Sequence, residues 1–245
     1  MKYFKTIMLL AALIGFLGAG CKKSKSVFTL QLKGKYGSQS FALNTFNADT
    51  TGVVVGIKAL QFYISNINLI KTDNSTVVIT DVALIDFSNP SSLTIKLEGV
   101  EGNFKGIVFG CGLDSAQNAT PYPLTAPGVL NNAYGMYWGM NNFKYRFEVM
   151  EGAWDTAVLP DMRYGLIYHI GLDSNYRQVQ LNKNFTVCCG NPATLSVYLD
   201  VRKIFHGDTQ TINIAAVNTD DVTSTSDAPA LAAKFAGNFS KAFGF

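Results

Sequence analysis

Histidine is nearly absent from this 245-residue chain, which has only His169 and His206. A site made of several imidazoles within one molecule is therefore excluded, and no H-E-x-x-H pair exists. There is also no G-x-S-x-G and no glycine-rich phosphate loop, so no standard catalytic constellation is present and the chain does not read as an enzyme. Charge is scarce too. Charged residues are 15% of the chain, with 20 Lys and Arg against 17 Asp and Glu. Five of those cations (Lys2, Lys5, Lys22, Lys23, Lys25) precede Val27, so beyond it acids outnumber bases 17 to 15. No basic block remains in the folded part, and nucleic acid is excluded as a partner. Helical periodicity is missing before residue 228.

Cysteines number four, and the first belongs to the leader. A basic start, Met1 to Thr6, precedes the apolar run 7–19. As a helix that run rises about 20 Å, too short for a hydrocarbon core of about 30 Å, and so reads as a signal peptide. It ends Leu17-Gly18-Ala19-Gly20-Cys21, which resembles a bacterial lipobox with Cys21 as the lipidated residue. The expected organisation is a leader over 1–20, a tether over 21–26 and one domain over 27–245. That places the chain outside the cytoplasm, in the periplasm or on the cell surface, held to a membrane, the outer one, by Cys21. Cys111, Cys188 and Cys189 remain, an odd count for an oxidising compartment. One disulfide is expected, most simply Cys111 with one of the adjacent pair.

What is plentiful is the material of β-structure. Tyr, Phe and Trp are 12% of the residues, set in short runs broken by Gly, Asn, Asp and Ser. Strands are predicted at 27–33, 39–43, 52–72, 77–87, 93–97, 104–111, 143–149, 163–170, 176–181, 195–201 and 211–214. Within 52–72, simple alternation puts Phe62, Ile64 and Asn66 on one face and Tyr63, Ser65 and Ile67 on the other. The expected fold is all-β, a single antiparallel β-sandwich. Leu231, Phe235, Phe239 and Phe243, spaced by four, predict a short C-terminal amphipathic helix that caps it. The outlier is the connection 112–142, too long for a passive loop and rich in aromatics at its end, hence a functional loop.

That loop concentrates the chain's unusual side chains. Trp138, one of two tryptophans, stands between Met136 and Met140, and the strand after it leads towards His169. Thioether and imidazole suit copper, with methionine favouring Cu(I). Asp114, Ser115 and Asn118 offer oxygens at i, i+1 and i+4 to a hard cation such as calcium, or bond their own loop. His169 reads equally as a packed strand residue, and Trp138 as a ring closing one end of the sandwich. His206 reads as turn surface. Glu148 and Glu151 read as exposed carboxylates at a strand end.

Several short pieces in order resemble the MbnP-like proteins, extracytoplasmic β-sandwich proteins with copper-binding members. They are Phe62-Tyr63-Ile64-Ser65-Asn66-Ile67, Gly106-Ile107-Val108-Phe109, Gly112-Leu113-Asp114-Ser115-Ala116-Gln117-Asn118, Gly135-Met136-Tyr137-Trp138, Tyr145-Arg146-Phe147 and Tyr168-His169-Ile170-Gly171. The resemblance implies His169 as a copper ligand and Trp138 as a site tryptophan that a partner haem enzyme oxidises. Met136 and Met140 join His169 as candidate metal ligands, and Asp114, Asn118 and Tyr145 join Trp138 as candidate ligand contacts. The chain departs from the pattern in three places. It has no histidine near Asn118, Met140 replaces a second tryptophan, and the ending is Phe243-Gly244-Phe245. A metal-free module presenting the same aromatic loop to a protein or glycan is the alternative reading.

Overall fold

The computed structural model describes residues 25–48, 51–120, 128–131, 134–138, 144–156, 164–188, 190–217 and 227–245. Two sheets face each other. The smaller is built on β1 (Val27–Tyr36), which pairs with β2 (Gln39–Ser40), β6 (Thr94–Glu98) and β11 (Ala193–Asp200), while β12 (Phe243–Gly244) pairs with β11. Strict alternation shapes β1: Phe28, Leu30 and Leu32 are buried, whereas Thr29, Gln31 and Lys33 lie on the more open face. The expectation of a β-sandwich holds, with one refinement: β1 and β11 run parallel, and every other described pair is antiparallel.

The larger sheet is organised on β4 (Val54–Lys71), an 18-residue strand. One edge carries β3 (Phe46–Ala48) and then β5 (Thr76–Asp86). The other edge carries β8 (Arg146–Asp155) against Val54 to Phe62 and β7 (Gly102–Cys111) against Ile64 to Lys71. Thus β7 and β8 lie end to end along one edge of a single strand. Outside them β9 (Tyr164–Gly171) pairs with β8 and β10 (Arg177–Val187) with β7, again end to end. The long loop leaves the sheet where β7 stops and returns where β8 starts. It is therefore anchored at the middle of the sheet.

Alternation along β4 is broken at Asn66, whose φ of 51° marks a left-handed residue at a bulge, a conformation asparagine tolerates better than most. The extra residue shifts the pleat, so Ile67 joins Phe62 and Ile64 in the main core instead of sharing a face with Tyr63. The segment 211–214 is not a strand. Thr211 makes one bridge to His206, and Ile212 and Ile214 fill the core from a turn.

The C-terminal helix goes deeper than a cap. In chain order the helices are α1 (Ser115–Asn118), α2 (Val201–Phe205) and α3 (Pro229–Lys241). On α3, Ala232, Phe235, Ala236 and Phe239 form one stripe and are fully buried. Phe239 meets Phe62 of β4 at 5.0 Å and Phe235 stacks on Tyr168 of β9 at 4.8 Å. Phe243 follows the helix into β12 and meets Phe109 at 5.2 Å.

The expected bridge from Cys111 does not form. Cys111 is a free, buried thiol opposite Arg177 at one end of the β7–β10 ladder, and Cys188 follows Val187 at the other. That ladder separates them by about 30 Å, whereas a disulfide needs Cα atoms within about 7 Å. Cys189 lies outside the described residues, as do Cys21, the leader and most of the polar segment 219–228.

Candidate functional site

On the face of the larger sheet turned away from α3, the long loop covers a second apolar cluster. Tyr63, Leu84, Leu113, Met136, Tyr145, Phe147 and Val149 form it. Two tyrosines pin the loop down by donating to its carbonyls, Tyr63 Oη to Val129 at 3.0 Å and Tyr145 Oη to Leu130 at 3.1 Å. Burial pushes both phenols above their usual pKa range. The loop's returning arm pairs with the start of β8: the Arg146 N–H donates to Met136 O, and the Trp138 N–H to Lys144 O, each at 2.7 Å.

This pairing swings Trp138 over the rim of the cluster. Its ring meets His169 of β9 edge to face at 6.0 Å, and the Arg146 guanidinium lies 5.4 Å from the ring centre. Across the β8–β9 ladder His169 faces Val149, and Glu151 stands two residues further along the same face. Glu151 Oε1 is 2.6 Å from His169 Nε2. Burial holds the imidazole below its usual pKa against the pull of Glu151, and the nearby Arg146 cation adds to that lowering. The ring is therefore neutral at pH 7. A carboxylate only accepts, so Nε2 carries the proton and donates to Glu151.

Arg146 is also partly desolvated. Burial lowers its pKa while Glu151 raises it. Its Nη1 donates to Gly135 O at 3.3 Å, and its Nε is buried with no partner among the described residues. The site thus combines an indole, a neutral imidazole oriented by a carboxylate, and a guanidinium. Such a set has the chemistry to hold and orient a ligand.

The expected site residues divide sharply. Trp138 and His169 come together as anticipated. Met136 does not join them: it is 1% exposed within the apolar cluster, so its thioether is packing material. Met140 lies outside the described residues. Asp114 is a helix cap, with Oδ1 accepting the Gln117 N–H at 2.8 Å and Oδ2 accepting from Asn66 Nδ2 at 2.9 Å. Those bonds, the amide ones largest, hold its pKa low against desolvation. Asn118 is 5% exposed; its Nδ2 donates to Asp173 at 2.7 Å and its Oδ1 accepts the Tyr145 N–H at 3.3 Å. Asp114 and Asn118 thus serve the architecture of the loop, each with its side-chain oxygens accepting bonds from the protein. Tyr145 is a buried pillar, 1% exposed, packed edge to face against both Tyr63 and Tyr137.

Two residues of the site, Arg146 and Glu151, were not among the expected site residues; Glu151 read only as an exposed carboxylate. Period-two alternation from Val149 marks Glu151 as sharing a face with Val149, but only the β8–β9 register brings His169 there. Glu148, read as exposed beside Glu151, is fully buried on the opposite face. Among the described residues no group of three or more His, Cys, Asp and Glu gathers around a point that would hold a metal.

A sequence model of the MbnP family matches residues 25–225. The chain belongs to the MbnP family. A solved structure of MbnP from Methylosinus trichosporium has a similar fold, with a TM-score of 0.52 at 16% identity, covering 75% of this chain and 78% of that one. No curated protein matches the chain. The family match takes in β1 to β11 and the long loop, so the Trp138–His169 site belongs to this chain's version of the MbnP domain.

Proposed function

We propose that this MbnP-family chain is a lipid-anchored extracytoplasmic binding protein that takes copper, as Cu(I), at the Trp138–His169 site. The observation that supports this most is the His169–Glu151 pair. Metal-bound histidines usually donate their second ring N–H to a carboxylate, which fixes the ring and strengthens the ligand nitrogen. His169 is already neutral and already held in that way. In this reading Nδ1 is the ligand atom. The donor set of the described residues fits one imidazole ligand, and Met140, two positions after Trp138 in the chain, is the thioether the reading adds. Imidazole with thioether favours the monovalent, soft ion. Bound there, copper would supply a redox-active centre beside the indole; the residues themselves bind, orient and partly shield it.

Loading the mature chain with Cu(I) and counting metal by elemental analysis tests this. One copper per chain is expected for wild type, and His169→Ala should lose it. Failure of wild type to hold metal at micromolar free Cu(I) would sink the copper reading and leave the metal-free module presenting the loop to a protein or glycan.

The proposed partners are the membrane, through lipidated Cys21, and a haem enzyme that oxidises Trp138. Trp138 supports the second by its partly exposed position at the rim of the site. Peptide mass mapping of protein from its native host should show an oxygenated Trp138, with Trp154, buried and stacked at 4.6 Å on Tyr164, unchanged. An unmodified Trp138 would remove that partner.

A further inference from the structure

The edge of the smaller sheet is interrupted. β11 follows β1 along one side. On the other side β6 pairs only with Val27 to Gln31, and β2 takes over at Lys35. Leu32 and Lys33 face neither strand. The Phe41 N–H donates to Gly34 O at 3.2 Å, closing the far end of the gap.

A cleft of about 640 Å³ opens at this gap, within the range of about 300–1,000 Å³ typical of small-molecule sites. Its floor is apolar. Phe41 and Phe87 meet edge to face at 5.6 Å and pack against Gly34, where a side chain would collide with both rings. Leu43 and Leu93 also line it, and these two with Phe87 stay partly exposed. The rim is cationic. Lys33 lines the cleft with Tyr198 and holds its ammonium 5.7 Å from the centre of that ring. Lys35 approaches the same ring at 5.9 Å. The residues lining the cleft include no Asp or Glu.

We propose that this cleft binds a small amphiphilic carboxylate, with its hydrocarbon part on Phe41, Phe87 and Leu93 and its carboxylate on Lys33. Lys35 stands opposite Asp200 in the β1–β11 ladder, which leaves Lys33 as the cation of the cleft itself, with no acid lining it, so a ligand anion pairs with Lys33. The partly exposed apolar floor supplies the hydrophobic share of binding. This site lies on the other sheet from Trp138, and its occupancy does not depend on copper.

The test is a fluorescence titration of the chain from residue 25 onward, which contains every described strand and helix. The probe is 8-anilinonaphthalene-1-sulfonate, itself an apolar anion, displaced by decanoate, with decanol as the neutral control. Saturable displacement by decanoate is expected, with decanol weaker. Lys33→Glu should weaken decanoate by about tenfold and leave decanol nearly unchanged. Leu43→Trp, which narrows the cleft, should weaken both ligands. Near-UV circular dichroism establishes that each variant is folded. The proposal is overturned if decanoate fails to displace the probe saturably, if decanol binds as well as decanoate, or if folded Lys33→Glu binds decanoate like wild type.

Discussion

Glu148 shows how far a single side chain can depart from its apparent role. It lies where β7 and β8 meet on β4, opposite Phe62 and beside Ile170. Neither carboxyl oxygen has a hydrogen-bond partner among the described residues. Burial pushes its pKa up to about 8, and the Arg177 cation only partly opposes the rise. It is therefore largely a neutral acid at pH 7, and burial together with Glu148 holds the nearby Cys111 thiol well above its usual range. The folded-state value lies above the unfolded one, so protonation favours the folded form. That stabilisation is complete below about pH 4.5 and is lost as pH rises to about 8, a change of at most about 5 kcal/mol. Urea denaturation across this window should show wild type weakening with pH. Glu148→Gln, which keeps the shape and cannot ionise, should flatten the curve. Parallel curves for the two proteins would rule out Glu148 as the source.

At the scale of elements, the long loop is held by polar staples on a sheet that is otherwise apolar. The bulge at Asn66 turns its side chain out to Asp114, and Gln117 Nε2 returns a bond to Asn66 Oδ1 at 3.1 Å. One turn of helix, α1, is thereby seated on β4. From that turn Asn118 reaches the Tyr145 N–H and Asp173, joining the loop's outgoing arm to its return and to the β9–β10 connection. Asn118→Ala leaves a buried N–H without its acceptor, at a cost of about 1–3 kcal/mol. Its amides from 128 to 138 should also exchange faster with solvent, because the cover over Tyr145 loses an anchor. Unchanged exchange there would mean the tyrosine bonds alone hold the loop.

On the scale of the whole molecule, the end-to-end placing of β7 and β8 decides where the site can be. A loop inserted at the midpoint of a sheet folds back over that sheet's outer face, and the Trp138–His169 site lies at its rim. The N-terminal half of the proposal is testable separately. If the chain is anchored as its leader implies, its processed form begins at acylated Cys21, and Cys21→Ser shifts the protein to the soluble fraction. Mass analysis of the mature N-terminus checks this, and a start at any other residue argues for a different route. Much of this layout was legible in advance: ten of the described strands overlap predicted ones because β-branched and aromatic runs between turn residues must pair. The parallel β1–β11 ladder was not, since direction depends on where distant segments meet.

The sequence by itself determined the sheet-rich core, the phenylalanine stripe of α3 and the neighbourhood of Trp138, because these follow from side-chain periodicity and loop length. Only the tertiary structure decided which side chains share the site. Register across β8 and β9 put Glu151 and Arg146 beside His169. The same fold sent Met136 and Tyr145 into packing and kept Cys111 away from Cys188. Local sequence carries the period of a strand, whereas the partner of each residue is chosen by contacts far along the chain.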